Sequence, residues 1–333
     1  MHAILTVTIP FFALVLLGYL AAQRRWMPES AIPGLNAYVL YYALPCMLFR
    51  FGSSMPFARL IDPLLIALYT TCALLMIAIT VAVTLRRRAG AAGVDLKDAA
   101  FGALVAAFPN AGFMGVPLLV ALLGDNAAGP VIGAILVDLI LTSTLCLALA
   151  QASGHRSGGE DQRSMLAAAV LSLRGALTNP LPWAITIGAL FAALDRELPG
   201  PIAQIVRMLG ESAAPVALFT IGAVLSRAGR HGHSKTPPRN YLPVALLKLI
   251  LHPALIFGIG AGAAALGAPV SPFGLMVLTL VAALPSASNV SVLAERYGAD
   301  NGRVTRIIMA STVLAFASFS ALAWLFGVGA AAK

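Results

Sequence analysis

The sequence predicts an all-α integral membrane protein with ten transmembrane helices, arranged as two inverted repeats of five helices. Three observations support this prediction. Of the 333 residues, 59% are hydrophobic and only 11% are charged, a composition far from that of soluble domains. The apolar residues form ten windows whose connectors alternate in basic charge, and motifs of the first half recur in the second.

Ten windows of about 20 apolar residues are long enough to cross roughly 30 Å of hydrocarbon as α-helices. The predicted spans, numbered 1 to 10 in chain order, are 3–22, 34–52, 62–85, 98–121, 128–150, 177–194, 203–225, 241–266, 273–294 and 304–327.

Basic residues mark one side of the membrane. Connectors that follow odd-numbered spans hold sixteen Lys and Arg residues, and connectors that follow even-numbered spans hold four. Positively charged loops stay in the cytoplasm, so both termini are predicted to lie outside it. We expect a multi-pass protein of the bacterial cytoplasmic (inner) membrane, surrounded by the lipid bilayer. The net charge of +9 is then a topology signal, and nucleic acid is not expected as a partner.

Seven identities between the two halves share one offset of 170 residues. They pair Pro10, Gly18, Leu20, Pro45, Leu48, Phe49 and Gly52 with Pro180, Gly188, Leu190, Pro215, Leu218, Phe219 and Gly222. Such self-similarity predicts a duplicated unit. Because each half holds an odd number of spans, the second half is predicted to be inverted. The predicted division is a first repeat at 1–150, a cytoplasmic linker at 151–176 and a second repeat at 177–333.

Predicted spans 4 and 9 each contain a break. The segment "AAFPNAG" of span 4 resembles "AALPSAS" of span 9. Proline lacks the N–H that a helix interior needs, and glycine lets the chain leave helical geometry. Pro109, Gly112, Gly115 and Pro117 are therefore predicted to divide span 4 into two half-helices, and Pro285 is predicted to divide span 9.

Two broken helices that cross would bring two half-helix N-termini together. Their partial positive charge and free N–H groups suit an anion, and irregular backbone inside a membrane is tolerated where it lines a cavity. The alternative is a proline-kinked structural helix with internally satisfied polar groups. The substrate-binding candidates are Pro109, Asn110, Gly112, Gly115, Pro117, Pro285, Ser286, Ser288 and Asn289.

Three ionisable residues lie inside predicted spans, where such side chains are costly. Asp138 is in span 5, and Lys248 and His252 are four residues apart on one face of span 8. A contact between Asp138 and Lys248 or His252 would neutralise buried charge and respond to protonation, which favours proton coupling. The alternative is a static ion pair, with Lys248 extending toward the cytoplasm.

Other functional classes have little support. The sequence has no Gly-rich phosphate loop, H-E-x-x-H or G-x-S-x-G motif, so it is not expected to be an enzyme. Cys46, Cys72 and Cys146 form no C-x-x-C pair and have no histidine cluster beside them, so a metal site is not expected. No cofactor is expected, apart from H⁺ or Na⁺ as a coupling ion.

Three segments resemble the auxin efflux carrier family in its bacterial branch, whose members are described as malonate or malate carriers or as permeases. They are "FPNAGFMGVPLL" in span 4, "LPSASNVSVLAERYG" in span 9 and "LYYALPCMLFRFG" in span 2. The resemblance implies the architecture of bile-acid symporters and sodium/proton antiporters. One part would contain spans 3–5 and 8–10, the other spans 1, 2, 6 and 7. Substrate would bind where the broken spans 4 and 9 cross.

The expected function is therefore secondary active transport of small organic anions, either mono- or dicarboxylates, by alternating access at the crossing of spans 4 and 9. A sodium-coupled bile-acid-type symporter and a passive channel are the alternatives. The substrate and the lipid bilayer are the expected partners, and the sequence leaves a homodimer open.

Overall fold

The computed structural model describes residues 2–54, 62–86, 94–152, 178–231 and 236–328. Within these ranges the chain is helical and has one isolated antiparallel bridge. The helices of residues 2–152 are α1 (His2–Gln23), α2 (Ala31–Tyr38), α3 (Leu44–Ser54), α4 (Pro63–Arg86), α5 (Leu96–Ala107), α6 (Val116–Leu123), α7 (Ala128–Val137) and α8 (Ser143–Ala152). Those of residues 178–328 are α9 (Pro180–Ala193), α10 (Gly200–His231), α11 (Pro238–Leu246), α12 (His252–Ala265), α13 (Pro272–Ala283), α14 (Val290–Arg296) and α15 (Asn301–Leu325).

Among the described residues, seven helical stretches are long and apolar enough to span a membrane. They are Ile4–Gln23, Ala31–Ser54, Pro63–Arg86, Asp125–Ala152, Gly200–Arg227, Pro238–Ala265 and Asn301–Leu325. Three further apolar helices are shorter, at Ala111–Leu123, Pro180–Ala193 and Pro272–Ala283. Large apolar side chains such as Leu16, Leu190 and Leu325 are more than half exposed, as expected where a helix faces lipid. The chain is a multi-pass membrane protein, and the count of ten spans stays a prediction.

Side-chain caps fix where several helices begin. Asp95, Asn179, Ser271 and Asp300 each accept a hydrogen bond from a backbone N–H in the first turn of the helix that follows. The first N–H groups of a helix have no partner within the helix, so these oxygens satisfy donors that would otherwise be left open. The linker predicted at 151–176 lies outside the described residues, except for its first two.

Glycines allow two helix pairs to pack with their backbones in contact. A Cβ atom on Gly18 of α1 would overlap the carbonyl of Phe219 on α10, and one on Gly222 of α10 would overlap the carbonyl of Val15. Helices α9 and α3 repeat this arrangement, since Gly188 abuts the carbonyl of Phe49 and Gly52 abuts that of Ile185. Adding or subtracting 170 converts the first set of residues into the second. Small residues are what permit such close helix packing in membranes.

Four π-helical turns interrupt the α-helices in the part of the chain that the structure describes. They are Val39–Ala43, Ala111–Gly115, Asp138–Thr142 and Leu247–Leu251. Each turn inserts an extra residue and rotates the side chains that follow it, which is why such turns are frequent at functional sites. Two of these turns carry the predicted coupling residues Asp138 and Lys248.

The break of predicted span 4 is present, but the glycines do not make it. The chain leaves helical geometry at Phe108–Asn110, which is non-helical between α5 and the π-helical turn. Gly112 and Gly115 lie inside that turn, and Pro117 lies in the first turn of α6. The prediction that these three residues open the helix is wrong, because a proline early in a helix needs no N–H partner. Gly115 instead makes room for Leu284, whose methyl group would lie 2.8 Å from a Cβ.

A buried arginine joins the start of α5 to the start of α15. The guanidinium of Arg303 donates to the carbonyls of Asp98 and Asn240 at 2.7 and 2.9 Å. The N–H of Asp300 donates to the Asp98 carboxylate at 2.7 Å. Gly102 leaves the space that the guanidinium occupies. The helix that leads into the first break is therefore tied at its start to α11 and α15.

Replacing Gly222 by alanine tests the close packing of α1 and α10. A methyl group there meets main-chain atoms that cannot move independently, so we expect Gly222→Ala to destabilise the protein by about 1–3 kcal/mol and to lower its melting temperature in detergent. Gly34→Ala is the matched control, because Gly34 is helical and has open space around it. Equal melting temperatures for the two variants would contradict this packing.

Candidate functional site

The two breaks meet in a short antiparallel pairing. The Asn110 N–H donates to the carbonyl of Pro285 at 2.8 Å, and the Ala287 N–H donates to the carbonyl of Phe108 at 3.0 Å. These bonds flank the bridge between Pro109 and Ser286. The non-helical segments that the prolines mark in the sequence therefore supply hydrogen-bond partners to each other.

Proline ends the pairing on the side of Asn110, and on the other side the Phe108 N–H donates to the carbonyl of Leu104 in α5. In an antiparallel ladder the next bond would run from the N–H of residue 285 to the Asn110 carbonyl, but Pro285 has no N–H. The Asn110 carbonyl instead accepts from the N–H groups of Met114 and Gly115, both at 3.1 Å. The helical conformation thus resumes immediately after the bridge.

Two side chains from other helices form hydrogen bonds with the main chain at the second break. The hydroxyl of Ser311 on α15 accepts from the Ser286 N–H at 3.2 Å. The ammonium of Lys248 donates to the Ala282 carbonyl, in the last turn of α13, at 2.6 Å. The helical partner of that carbonyl would be the N–H of Ser286, which is bonded elsewhere. A cation at a helix C-terminus also interacts favourably with the helix dipole.

Polar side chains at the crossing keep unused hydrogen-bonding capacity. The buried Ser286 hydroxyl has no partner. Asn110 is 2% exposed, and its side chain does not cap the helix that it precedes. Buried polar groups without partners are uncommon and costly, so the groups at this crossing are candidates for binding a ligand.

A cavity of about 610 Å³ lies against the crossing, a size typical of small-molecule sites. Its lining is mostly apolar, with a few amides and hydroxyls. The lining residues are Asn36, Leu40, Phe108, Phe113, Leu139, Ser143, Leu147, Thr178, Asn179, Val224, Ser288, Asn289, Val292, Leu293, Arg296 and Tyr297.

One face of α14 forms a wall of this cavity. Asn289, Val292, Leu293, Arg296 and Tyr297 all line it, at the spacing of a helical stripe. In the sequence, Arg296 is one of the sixteen basic residues of the connectors after odd-numbered spans, and its place in the cavity wall was not predicted. The spacing of seven residues between Asn289 and Arg296 was the signal that could have placed the two side chains on one face.

The predicted site residues divide into three groups. Ser288 and Asn289 line the cavity. Pro109, Asn110, Pro285 and Ser286 form the bridge beside it, and the cavity lining does not include them. Gly112, Gly115 and Pro117 lie in the helical turns that follow the first break.

Asp138 belongs to a buried polar cluster behind the crossing. Its two carboxylate oxygens accept from the hydroxyls of Tyr69 at 2.9 Å and Thr142 at 3.1 Å. The Lys248 ammonium lies 3.3 Å from Nδ1 of His252, whose ring is near Tyr69 with centroids 6.0 Å apart. Asp138, Lys248 and His252 are all fully buried. The Ala282 carbonyl bonded to Lys248 connects this cluster to the second break.

The structure places the three predicted coupling residues close together without a direct ion pair. In the part of the chain that the structure describes, Asp138 makes no salt bridge with Lys248 or His252, although Asp138 and Lys248 are close enough to interact electrostatically. Lys248 does not extend toward solvent, because its exposure is zero. The Ala282 carbonyl accepts from the Lys248 ammonium, and the Tyr69 and Thr142 hydroxyls donate to the Asp138 carboxylate.

The fold and the crossing define a class, a multi-pass membrane protein in which two interrupted helices meet beside a cavity. Comparison with known proteins identifies the family. The sequence model of the family described as "Membrane transport protein" matches residues 3–324. The chain belongs to this family, that of the auxin efflux carriers, and is a membrane transporter.

Relatives of the chain occur in bacteria and plants. A protein of Rhizobium meliloti (strain 1021) named "Putative malonate transporter" is 30% identical over 99% of this chain and 98% of its own length. The "Uncharacterized transporter YfdV" of Escherichia coli (strain K12) is 25% identical, with coverage of 96% and 95%. "Auxin efflux carrier component 8" of Arabidopsis thaliana is 23% identical, with coverage of 77% and 80%.

Removing the Ser311 hydroxyl tests how the second break is held. Ser311→Ala leaves the Ser286 N–H without its partner, and we expect a loss of about 1–3 kcal/mol in stability, measured as a lower melting temperature in detergent. Thr312→Val is the control, since the Thr312 hydroxyl bonds only a carbonyl of its own helix. A Ser311→Ala protein no less stable than Thr312→Val would show that the hydroxyl does not support the break.

Proposed function

We propose that this protein is a secondary active carrier of small organic anions, mono- or dicarboxylates, in the bacterial cytoplasmic membrane. The observation that carries the proposal is the cavity beside the crossing, whose polar lining among the described residues consists of amides, hydroxyls and the guanidinium of Arg296, with no carboxylate. Such a lining favours an anion with an apolar body. The substrate would contact Ser288 and Asn289 directly, and Asn110 and Ser286 when the crossing opens.

The helix packing supports an alternating-access mechanism. Helices α1 and α10, and α3 and α9, are locked by glycine contacts and would move as one part. The remaining helices, which carry the crossing, would form the second part. The equivalence of the two glycine contact sets at an offset of 170 supports the inverted repeat, which is the usual basis of such a mechanism. Movement of one part against the other would open the cavity to each side in turn.

The names of the relatives agree with an organic-acid substrate. Malonate is a dicarboxylate and auxins are organic acids, and these words occur in the names of two relatives that cover most of this chain. Identities of 30% and 23% leave the substrate of this chain to be measured. A screen of mono- and dicarboxylate uptake into proteoliposomes, with imposed pH and sodium gradients, would identify both the substrate and the coupling ion.

The alternatives differ in coupling and in kinetics. A sodium-coupled symporter would need a sodium gradient for uptake, whereas the buried cluster of Asp138, Lys248 and His252 favours H⁺ because each side chain can bind a proton. A passive channel would need a continuous polar path, but the two breaks are joined by main-chain hydrogen bonds and the cavity lining is mostly apolar. Saturable uptake would support a carrier and contradict a channel.

Replacing Asn110 tests the crossing as the substrate site. Asn110→Ala removes an amide that can donate to a carboxylate while it keeps the main-chain bond to Pro285, so we expect loss of uptake with folded protein retained. Asn126→Ala, at an exposed turn away from the cavity, is the control. Uptake at the wild-type rate by the Asn110→Ala protein would show that the Asn110 side chain at the crossing does not bind the substrate.

Replacing Asp138 tests proton coupling. Asparagine has the shape of aspartate and can still accept from Tyr69, but it cannot bind the transported proton. We expect Asp138→Asn to flatten the dependence of uptake on pH and to remove the response to an imposed pH gradient, because the proton-binding carboxylate is lost. Asp125→Asn, at an exposed position, should keep both responses. If Asp138→Asn also keeps them, Asp138 has a structural role.

A further inference from the structure

The cavity beside the crossing contains one ionised side chain among its described lining residues, and that side chain is positive. Arg296 lies at the last position of α14, and no aspartate or glutamate is among the lining residues that the structure describes. In the part of the chain that the structure describes, no carboxylate forms an ion pair with Arg296. The Arg296 side chain is exposed, so its guanidinium is accessible to a charged ligand.

We propose that Arg296 is the residue that selects carboxylates, by taking the carboxylate group of the substrate as a partner within this cavity. The inference rests on the proposed function, because it names the specificity-determining residue of the same site. A guanidinium presents paired N–H donors that match the two oxygens of a carboxylate. A neutral solute would leave this charge without a partner.

The stripe on α14 orients the bound anion. Asn289 and Arg296 are seven residues apart, which corresponds to roughly 10 Å along a helix. The apolar side chains of Val292 and Leu293 lie between them. A carboxylate held by Arg296 therefore places the body of the substrate over these side chains and directs its far end toward Asn289 and the crossing.

Arginine at this position has a competing explanation. Arg296 is one of the sixteen basic residues in the predicted cytoplasmic connectors, so its charge could serve topology alone. Lysine would serve topology equally well, since the rule counts positive charge. It would be a poorer partner for a carboxylate, because a single ammonium cannot donate two parallel bonds. The Arg296→Lys variant therefore separates the two roles.

The experiment measures uptake by the full chain in proteoliposomes. Acetate, butyrate, benzoate, malonate and succinate, each radiolabelled, are the probes, and the one that the wild type takes up best is used to determine KM and the maximal rate. Arg296→Gln, Arg296→Lys and the wild type are compared with Arg196→Gln. Arg196 is an exposed arginine outside the cavity, so it controls for loss of surface charge.

We expect Arg296→Gln to raise KM about tenfold or more, the loss expected for a charge-assisted pair, with a smaller change in the maximal rate. Arg296→Lys should raise KM by roughly threefold or more, and Arg196→Gln should leave it unchanged. Added salt should raise the KM of the wild type more than that of Arg296→Gln, because screening weakens a charged contact.

Each contrary result has its own meaning. Saturable uptake with a wild-type KM in Arg296→Gln overturns the role of Arg296 and leaves the proposed carrier function intact. If Arg296→Gln does not fold, as judged by size-exclusion chromatography, a wild-type KM in Arg296→Lys overturns the inference in the same way. A wild type that takes up none of the five probes overturns both the inference and the proposed function.

Discussion

The structure depends on how the chain satisfies backbone hydrogen bonds where two helices are interrupted. An unpaired N–H or C=O group in an apolar environment costs several kcal/mol by the usual estimates, so a helix can break only where partners are supplied. Each break supplies one N–H and one carbonyl to the other, through Asn110 with Pro285 and Ala287 with Phe108. The two breaks occur together because each one would leave unpaired backbone groups in an apolar environment without the other.

The same requirement gives Lys248 its place. The Lys248 ammonium donates to the Ala282 carbonyl, which has no partner within its helix, and Nδ1 of His252 lies 3.3 Å from the ammonium. A lysine that serves as a helix cap also carries a proton, so the protonation state of the cluster and the hydrogen bonding of the break are physically linked. Loss of the proton would weaken a charge-assisted bond at the end of α13. In a proton-coupled carrier, this contact would connect the coupling cluster with the substrate site.

The sequence predicted the features that depend on the residue types within a single segment. Paired prolines marked the two breaks, and apolar windows marked the helices. The matches at an offset of 170 included Gly18, Gly52, Gly188 and Gly222, which make the close helix contacts. The sequence did not predict that Pro109 pairs with Ser286 and not with Pro285, because strand register depends on three-dimensional placement. The sequence also predicted that Gly112 and Gly115 open the helix, whereas both lie in a π-helical turn. Two glycines in an apolar segment are compatible with either structure.

Arg296 and Arg303 show why the positions of charged residues were the hardest to predict from the sequence. A positive residue near the end of a predicted span fits the topology rule whatever else it does, so counting charges could not separate Arg296 from its neighbours. Arg303 is three residues into the next helix and is buried in a structural network, whereas Arg296 faces the cavity. The difference lies in helical phase: Arg296 shares a face with Asn289. For a transporter whose substrate carries negative charge, the phase of each connector arginine relative to the nearest helix break is therefore more informative than the number of arginines.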